Sequence, residues 1–188
     1  MVPTRNRPTD KGLSPVVEEA SAADIAELSA LAIRTYVETF GAEFEPDELT
    51  HYLEQTIAVP SWHEYLRRDR VLIARLDGQA IGYVHFGPDG TDGEVIVHRL
   101  YVDAGHQGQG IGSGLLSRAL AEPHVMAAPT VRIDVWEKNP GARRLYERHG
   151  FRHEGGLEPF LLKSGEIDGY DLIMVRRQRS EPDKESSE

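Results

Sequence analysis

The stretch Leu100–Leu116 (LYVDAGHQGQGIGSGLL) constrains the fold more than any other part of the chain. The apolar positions Val95, Val97, Leu100 and Val102 read as a strand, and a loop with Gly105, Gly108, Gly110 and Gly112 follows. Behind the loop, Ile111, Leu115, Leu116, Ala119 and Leu120 recur at helical spacing. Closely spaced glycines let a backbone turn tightly and come near a ligand. The free N–H groups that open a helix form an anion site. Strand, glycine loop and helix in that order therefore predict a backbone cradle for phosphate.

The spacing narrows the choice of phosphate ligand. No Lys follows the glycines, so the nucleotide-triphosphate pattern G-x-x-x-x-G-K-[ST] is not met. Nor does Gly108-Gln109-Gly110-Ile111-Gly112 fit G-x-G-x-x-G with an acidic residue about 20 positions on. The run Gln107-Gly108-Gln109-Gly110-Ile111-Gly112 instead resembles Q/R-x-x-G-x-G/A, the acetyl-CoA signature of the GNAT superfamily of N-acetyltransferases.

Composition sets the outer bounds. A chain of 188 residues allows one domain with a single proper core. No apolar run approaches about 18 residues, so no membrane span is expected, and the N-terminus carries no apolar h-region of a secretory signal. The absence of cysteine excludes disulfides, zinc thiolate sites and a cysteine nucleophile, and fits a cytoplasmic location. A net charge of -10 argues against a nucleic-acid partner and is compatible with a cationic substrate.

The remaining elements follow from local signals. Residues 1–14 read as a flexible leader, 15–175 as the folded domain and 176–188 as a disordered polar tail. Val16 and Val17 mark a first strand, and Ser21 with Asp24 a helix cap. Ile25, Leu28, Ala32, Tyr36 and Phe40 then keep helical spacing, with Gly41 as a stop. A second helix is expected from Pro46 to about Thr56, and a short one is expected to open at the box Ser61-x-x-Glu64. Asp77-Gly78 joins two strands into a hairpin, and Asn139 caps a helix with Pro140 at its first position. Phe151–Leu162 and Gly169–Val175 read as a final antiparallel pair. The fold class is α/β: a mixed, mostly antiparallel central sheet with helices on both faces, the order the GNAT fold implies.

Further segments carry the resemblance. His98-Arg99-Leu100-Tyr101-Val102 is similar to the family's fourth strand, whose last backbone groups pair with the pantetheine arm. Asn139 to Phe151 resembles its N-x-x-A-x-x-x-Y…G-F segment. The resemblance implies direct acetyl transfer from acetyl-CoA, the co-substrate, to a small-molecule amine. It implies cofactor contacts at Leu100, Tyr101, Val102, Gln107, Gly108, Gln109, Gly110, Ile111, Gly112, Ser113, Asn139 and Tyr146. Tyr146 is the phenol that would protonate or hydrogen-bond the CoA thiolate. Gln107 stands where the family more often has Arg and lacks its charge. Dimers are common among such small transferases, which leaves a homodimer open. A non-catalytic acyl-CoA sensor on the same fold is the alternative.

The chemistry needs a base, because a free alkylamine is mostly protonated at pH 7. Many relatives carry Glu where this chain has Ile96. Glu94 and His98 are the candidates, since a regular strand puts both on one face, and a bulge would undo that parity. Glu38 is a third. No metal is assigned, His149 and His153 being poorly placed as a pair. Tyr36, Glu38 and Phe40 are the candidate acceptor residues, because Thr35–Gly41 with the acidic residues that follow resembles the polyamine-acetylating branch.

Overall fold

The structure, a computed structural model, describes residues 14–90, 93–161 and 167–178. It begins with β1 (Val16–Glu19), which leads through the capping box of Ser21 and Asp24 into α1 (Ile25–Phe40). Next come α2 (Pro46–Thr56) and α3 (Val59–Arg68), each with Pro in its first turn, where a missing N–H leaves no bond unmade. The expected box at Ser61 is not the start of α3. Ala58 is the cap residue, and the Ser61 hydroxyl donates to the Gln55 carbonyl instead.

β2 (Arg70–Leu76) and β3 (Gln79–Pro88) form a hairpin around Asp77 and Gly78, both left-handed at φ 53° and 80°. That pair of angles makes the turn that suits the twist of a hairpin. β4 (Val95–Val102), α4 (Ile111–Leu120), the short α5 (Pro123–Ala127) and β5 (Thr130–Trp136) follow. The chain closes with α6 (Pro140–Arg148), β6 (Arg152–Leu161) and β7 (Ile167–Arg177). The sequence signals did not resolve α5. β7 also continues beyond the expected start of the tail, with Arg176 and Arg177 opposite Val131 and Thr130. The leader up to residue 13 and the tail from residue 179 lie outside the described residues.

The seven strands lie in the order β1-β2-β3-β4-β5-β7-β6. Every pairing is antiparallel except β4 with β5. Each face of the sheet has its own core. Leu28, Leu31, Trp62, Ile73 and Tyr83 pack under α1 and α3. Leu115, Leu116, Val131, Ile133 and Phe151 pack on the opposite face under α4. β2 feeds both, Val71 and Ile73 to one side and Leu72 and Ala74 to the other, so its sequence is apolar without alternation.

Two irregularities at β4 shape everything that follows. Its register against β3 slips between His85↔Arg99 and Phe86↔Val97, so His98 is the extra residue of a bulge. Its ladder with β5 covers only Val95, Ile96 and Val97. Past the bulge the two strands have no rung in common.

Candidate active site

The parting of β4 and β5 opens a cleft of about 780 Å³. Leu100, Tyr101 and Val102 of β4 line one wall, and Ile133–Trp136 of β5 with residues of α6 line the other. The glycine loop and the start of α4 close one end, and Glu38, Thr39 and Phe40 at the end of α1 reach the other.

The loop is built as a donor surface. Gly108 and Gly110 have φ of 74° and 85°, a region L side chains rarely adopt. The first backbone bond of α4 runs from Gly114 N–H to the Gly110 carbonyl, and the N–H groups of residues 108 to 113 have no acceptor among the described residues. Donors in a row at a helix N-terminus fit a diphosphate. The side chains do other work. Gln107 donates Nε2–H to the Val102 carbonyl at 3.0 Å, tying the loop to the end of β4. Gln109 donates to the Gly105 carbonyl and does not line the cleft. Ser113 Oγ and Ser117 Oγ each lie 3.2 Å from His149 Nε2, and the ring's Nδ1–H donates to the Leu145 carbonyl.

α6 presents Tyr146 and Asn139 to the same cleft. Asn139 Oδ1 accepts the Ala142 N–H at 3.1 Å, as its spacing to Pro140 predicts. Tyr146 is only 6% exposed, between the cleft and Phe151. Burial pushes its phenol well above the usual range, so it stays protonated and can donate. Arg144 and Arg148 line the outer edge and make no ion pair among the described residues.

The two strand candidates for the base are separated. His98 lines the cleft. Glu94 does not: it precedes β4, at the end away from the glycine loop, and accepts from the Thr130 hydroxyl at 2.6 Å. The bulge at His98 is the reason that regular-strand parity fails. Behind His98 lies a cluster that the sequence reading did not find. Asp69 Oδ2 is 2.8 Å from His85 Nε2 and 3.7 Å from His98 Nε2. His85 Nδ1 faces Arg99 Nη1 at 3.2 Å. A guanidinium only donates, so Nδ1 accepts and Nε2–H donates to Asp69. His85 is thus neutral, in agreement with a pKa lowered first by burial. Ligand atoms of Asp69, His85 and His98 lie within 4.8 Å of one another. With His85 Nε2–H donating to Asp69, the three side chains form a hydrogen-bonded cluster. Burial would raise Asp69, but hydrogen bonds from His85 and Arg68 bring it down to about 2. Burial, then His85, lowers His98 to about 4, so its ring is neutral at pH 7.

The far end of the cleft is aromatic and acidic. Phe40 meets Trp136 edge-on at 5.3 Å. Asp134 lines the wall, paired with Arg132 at 2.9 Å. Asp171, on β7, is the register partner of Trp136 behind the cleft lining and is pushed up to about 6 by burial, then by Asp134 and Glu158. Of the expected acceptor residues, Glu38 and Phe40 reach the cleft and Tyr36 does not. Tyr36 is on the inner stripe of α1, 4% exposed and stacked on Tyr52 at 4.5 Å. The alternation of β5 held the signal for Asp134 and Trp136, since Val131, Ile133 and Val135 face the core.

Comparison with known proteins places this arrangement. The family model described as "Acetyltransferase (GNAT) domain" matches residues 67–153. An uncharacterized N-acetyltransferase of Mycobacterium tuberculosis is 31% identical over 155 residues, 81% of this chain and 97% of that protein. A spermine/spermidine N(1)-acetyltransferase of Bacillus subtilis is 27% identical over 89 residues, covering 44% of this chain and 59% of its own. The crystal structure of the PaiA N-acetyltransferase of Thermoplasma acidophilum with coenzyme A has the same fold, with a TM-score of 0.73 and 18% identity over 88% of this chain and 100% of that one. Among the described residues no helix is long and apolar enough to cross a membrane.

Proposed function

The chain belongs to the GNAT superfamily of N-acetyltransferases, and on that premise we propose that it transfers the acetyl group of acetyl-CoA directly to a small primary amine in a ternary complex. The observation that carries this reading is the row of acceptor-free N–H groups from Gly108 to Ser113, at the end of a cleft that also holds Tyr146 and His98. Those amides would hold the pyrophosphate of CoA, with Arg144 and Arg148 adding positive charge at the edge. The edge of β4 from Leu100 to Val102, without rungs to β5, offers backbone groups to the pantetheine arm. When bound, acetyl-CoA supplies an acyl thioester that an amine can attack.

The chain's own groups then have separate tasks. Tyr146, kept protonated by burial, donates a hydrogen bond where the sulfur gains charge. His98, neutral at pH 7, accepts the proton that the amine must lose. Phe40 and Trp136 give the acceptor an apolar wall, and Asp134 and Glu38 place negative charge near a cationic amine. The partial likeness to a spermine/spermidine acetyltransferase adds polyamines to the acceptors worth trying first.

The test is thiol release from acetyl-CoA across a panel of spermidine, aminoglycosides, amino acids and short peptides, with CoA binding followed by calorimetry on the same sample. Turnover with one amine class is the expected result and names the acceptor. CoA binding without turnover of any amine would leave an acyl-CoA sensor. No CoA binding would overturn the reading of the loop.

A further inference from the structure

Asp69 has no place in the acetyl-transfer scheme above, yet the fold goes to some length to hold it. It is the residue between α3 and β2, and its side chain is 0% exposed. Gly87 makes room for it: a Cβ there would lie 2.2 Å from Asp69 Oδ1. Arg68 donates to both of its oxygens, at 3.1 and 3.2 Å. His85, fixed in its Nε2–H form by Arg99, donates to Oδ2. One further group lies near that oxygen, His98 Nε2 at 3.7 Å. His98 Nε2 is buried without a hydrogen-bond partner, whereas its Nδ1 is not among the buried unpaired atoms. The ring as a whole lines the cleft and lies 4.6 Å from the His85 ring.

We propose that Asp69 is a positioning residue for His98: its carboxylate keeps the His98 proton on Nε2, which leaves the Nδ1 lone pair as the proton acceptor on the cleft side. This rests on the reading of His98 as the base. The arithmetic of the step is simple. An N–H bond of the ammonium form breaks, the proton bonds to Nδ1, and the electron pair stays on the amine nitrogen for the new C–N bond. The imidazolium then stands beside an ionised carboxylate rather than alone in a buried site. Among the described residues no other anion lies as close. His85 from β3 is neutral, Arg99 from β4 and Arg68 from α3 are positive, and Glu38 of α1 reaches the cleft from the other side. Without Asp69, every charged neighbour in the cluster would oppose a charged His98.

Long-range nitrogen–proton NMR of the histidine rings in the full chain tests this without an acceptor. In the unaltered protein His98 is expected as the Nε2–H tautomer. In Asp69→Asn, whose amide can donate to Nε2, the Nδ1–H tautomer should rise about tenfold relative to it, and the ring should titrate at lower pH. Finding His98 as Nδ1–H in the unaltered protein overturns the proposal, even if the variant does not fold. An unchanged tautomer and titration in a folded Asp69→Asn overturns it as well. With an amine that turns over, Asp69→Asn should lower kcat about tenfold in the unaltered background and leave His98→Gln almost unaffected. Equal losses in both backgrounds would show that Asp69 does not act through His98. If His98→Gln keeps its full rate while the Nε2–H tautomer is found, the base reading fails and the Asp69–His98 pairing stands.

Discussion

Gly87 and Asp69 share one volume: an added Cβ at Gly87 would meet Oδ1, Cγ and Cβ of Asp69 at 2.2, 2.6 and 2.9 Å. The neighbour cannot give way, because Asp69 is held by Arg68 and His85. Gly87→Ala should therefore cost about 3 kcal/mol in urea unfolding, from overpacking and loss of buried hydrogen bonds. A loss under about 0.5 kcal/mol would mean that the carboxylate is free to move.

Tyr146→Phe removes a donor and little volume. The expected outcome is a fall of about a hundredfold in kcat, with the Kd for CoA nearly unchanged by calorimetry. The same rate at saturating substrates would remove Tyr146 from the mechanism.

The glycines of the α4 region should divide by backbone angle. Gly110→Ala must hold an L side chain at φ 85°, so either strain or a shifted loop follows, and CoA affinity should fall at least about tenfold. Gly114 lies within α4, its φ is not positive, and an added Cβ meets nothing within 4 Å. Gly114→Ala should leave CoA affinity intact and raise stability by about 0.5–1 kcal/mol. Equal effects at both positions would argue against the loop as the anion site.

Asp171 gives a pH signature of its own. Its folded-state value is raised to about 6, above the value near 4 of an unfolded chain. The folded state therefore binds the proton more tightly. The cost of the charge is full above about pH 6 and is relieved as pH falls toward 4. Asp171→Asn should raise Tm at pH 8 more than at pH 5. A Tm gain that does not change with pH would show that Asp171 is solvated in the fold.

What could be read from the sequence was what depends on near neighbours. The loop from Gln107 to Gly112, the Asn139 cap and the Asp77-Gly78 turn are each set by residues within a few positions, and the structure has them where local chemistry puts them. The strand argument for Glu94 and His98 failed over a single inserted residue, which no periodicity reports. Tyr36 and Phe40 share one stripe of α1, and the rings of Tyr52, Phe44 and Tyr101 around Tyr36 are what bury it while Phe40 reaches the cleft. Asp69 and His85 are 16 positions apart and meet at 2.8 Å because two strands pair. Nothing local marks either of them.

The short ladder between β4 and β5 has a consequence for how the protein keeps to itself. An open strand edge normally invites a strand from another chain, and exposed edges are where sheets aggregate. Here part of an edge lies in the middle of the sheet, recessed between the loop before α4 and the flank of α6. The unpaired stretch thus faces a cleft inside the sheet, while the outer strands are β1 and β6.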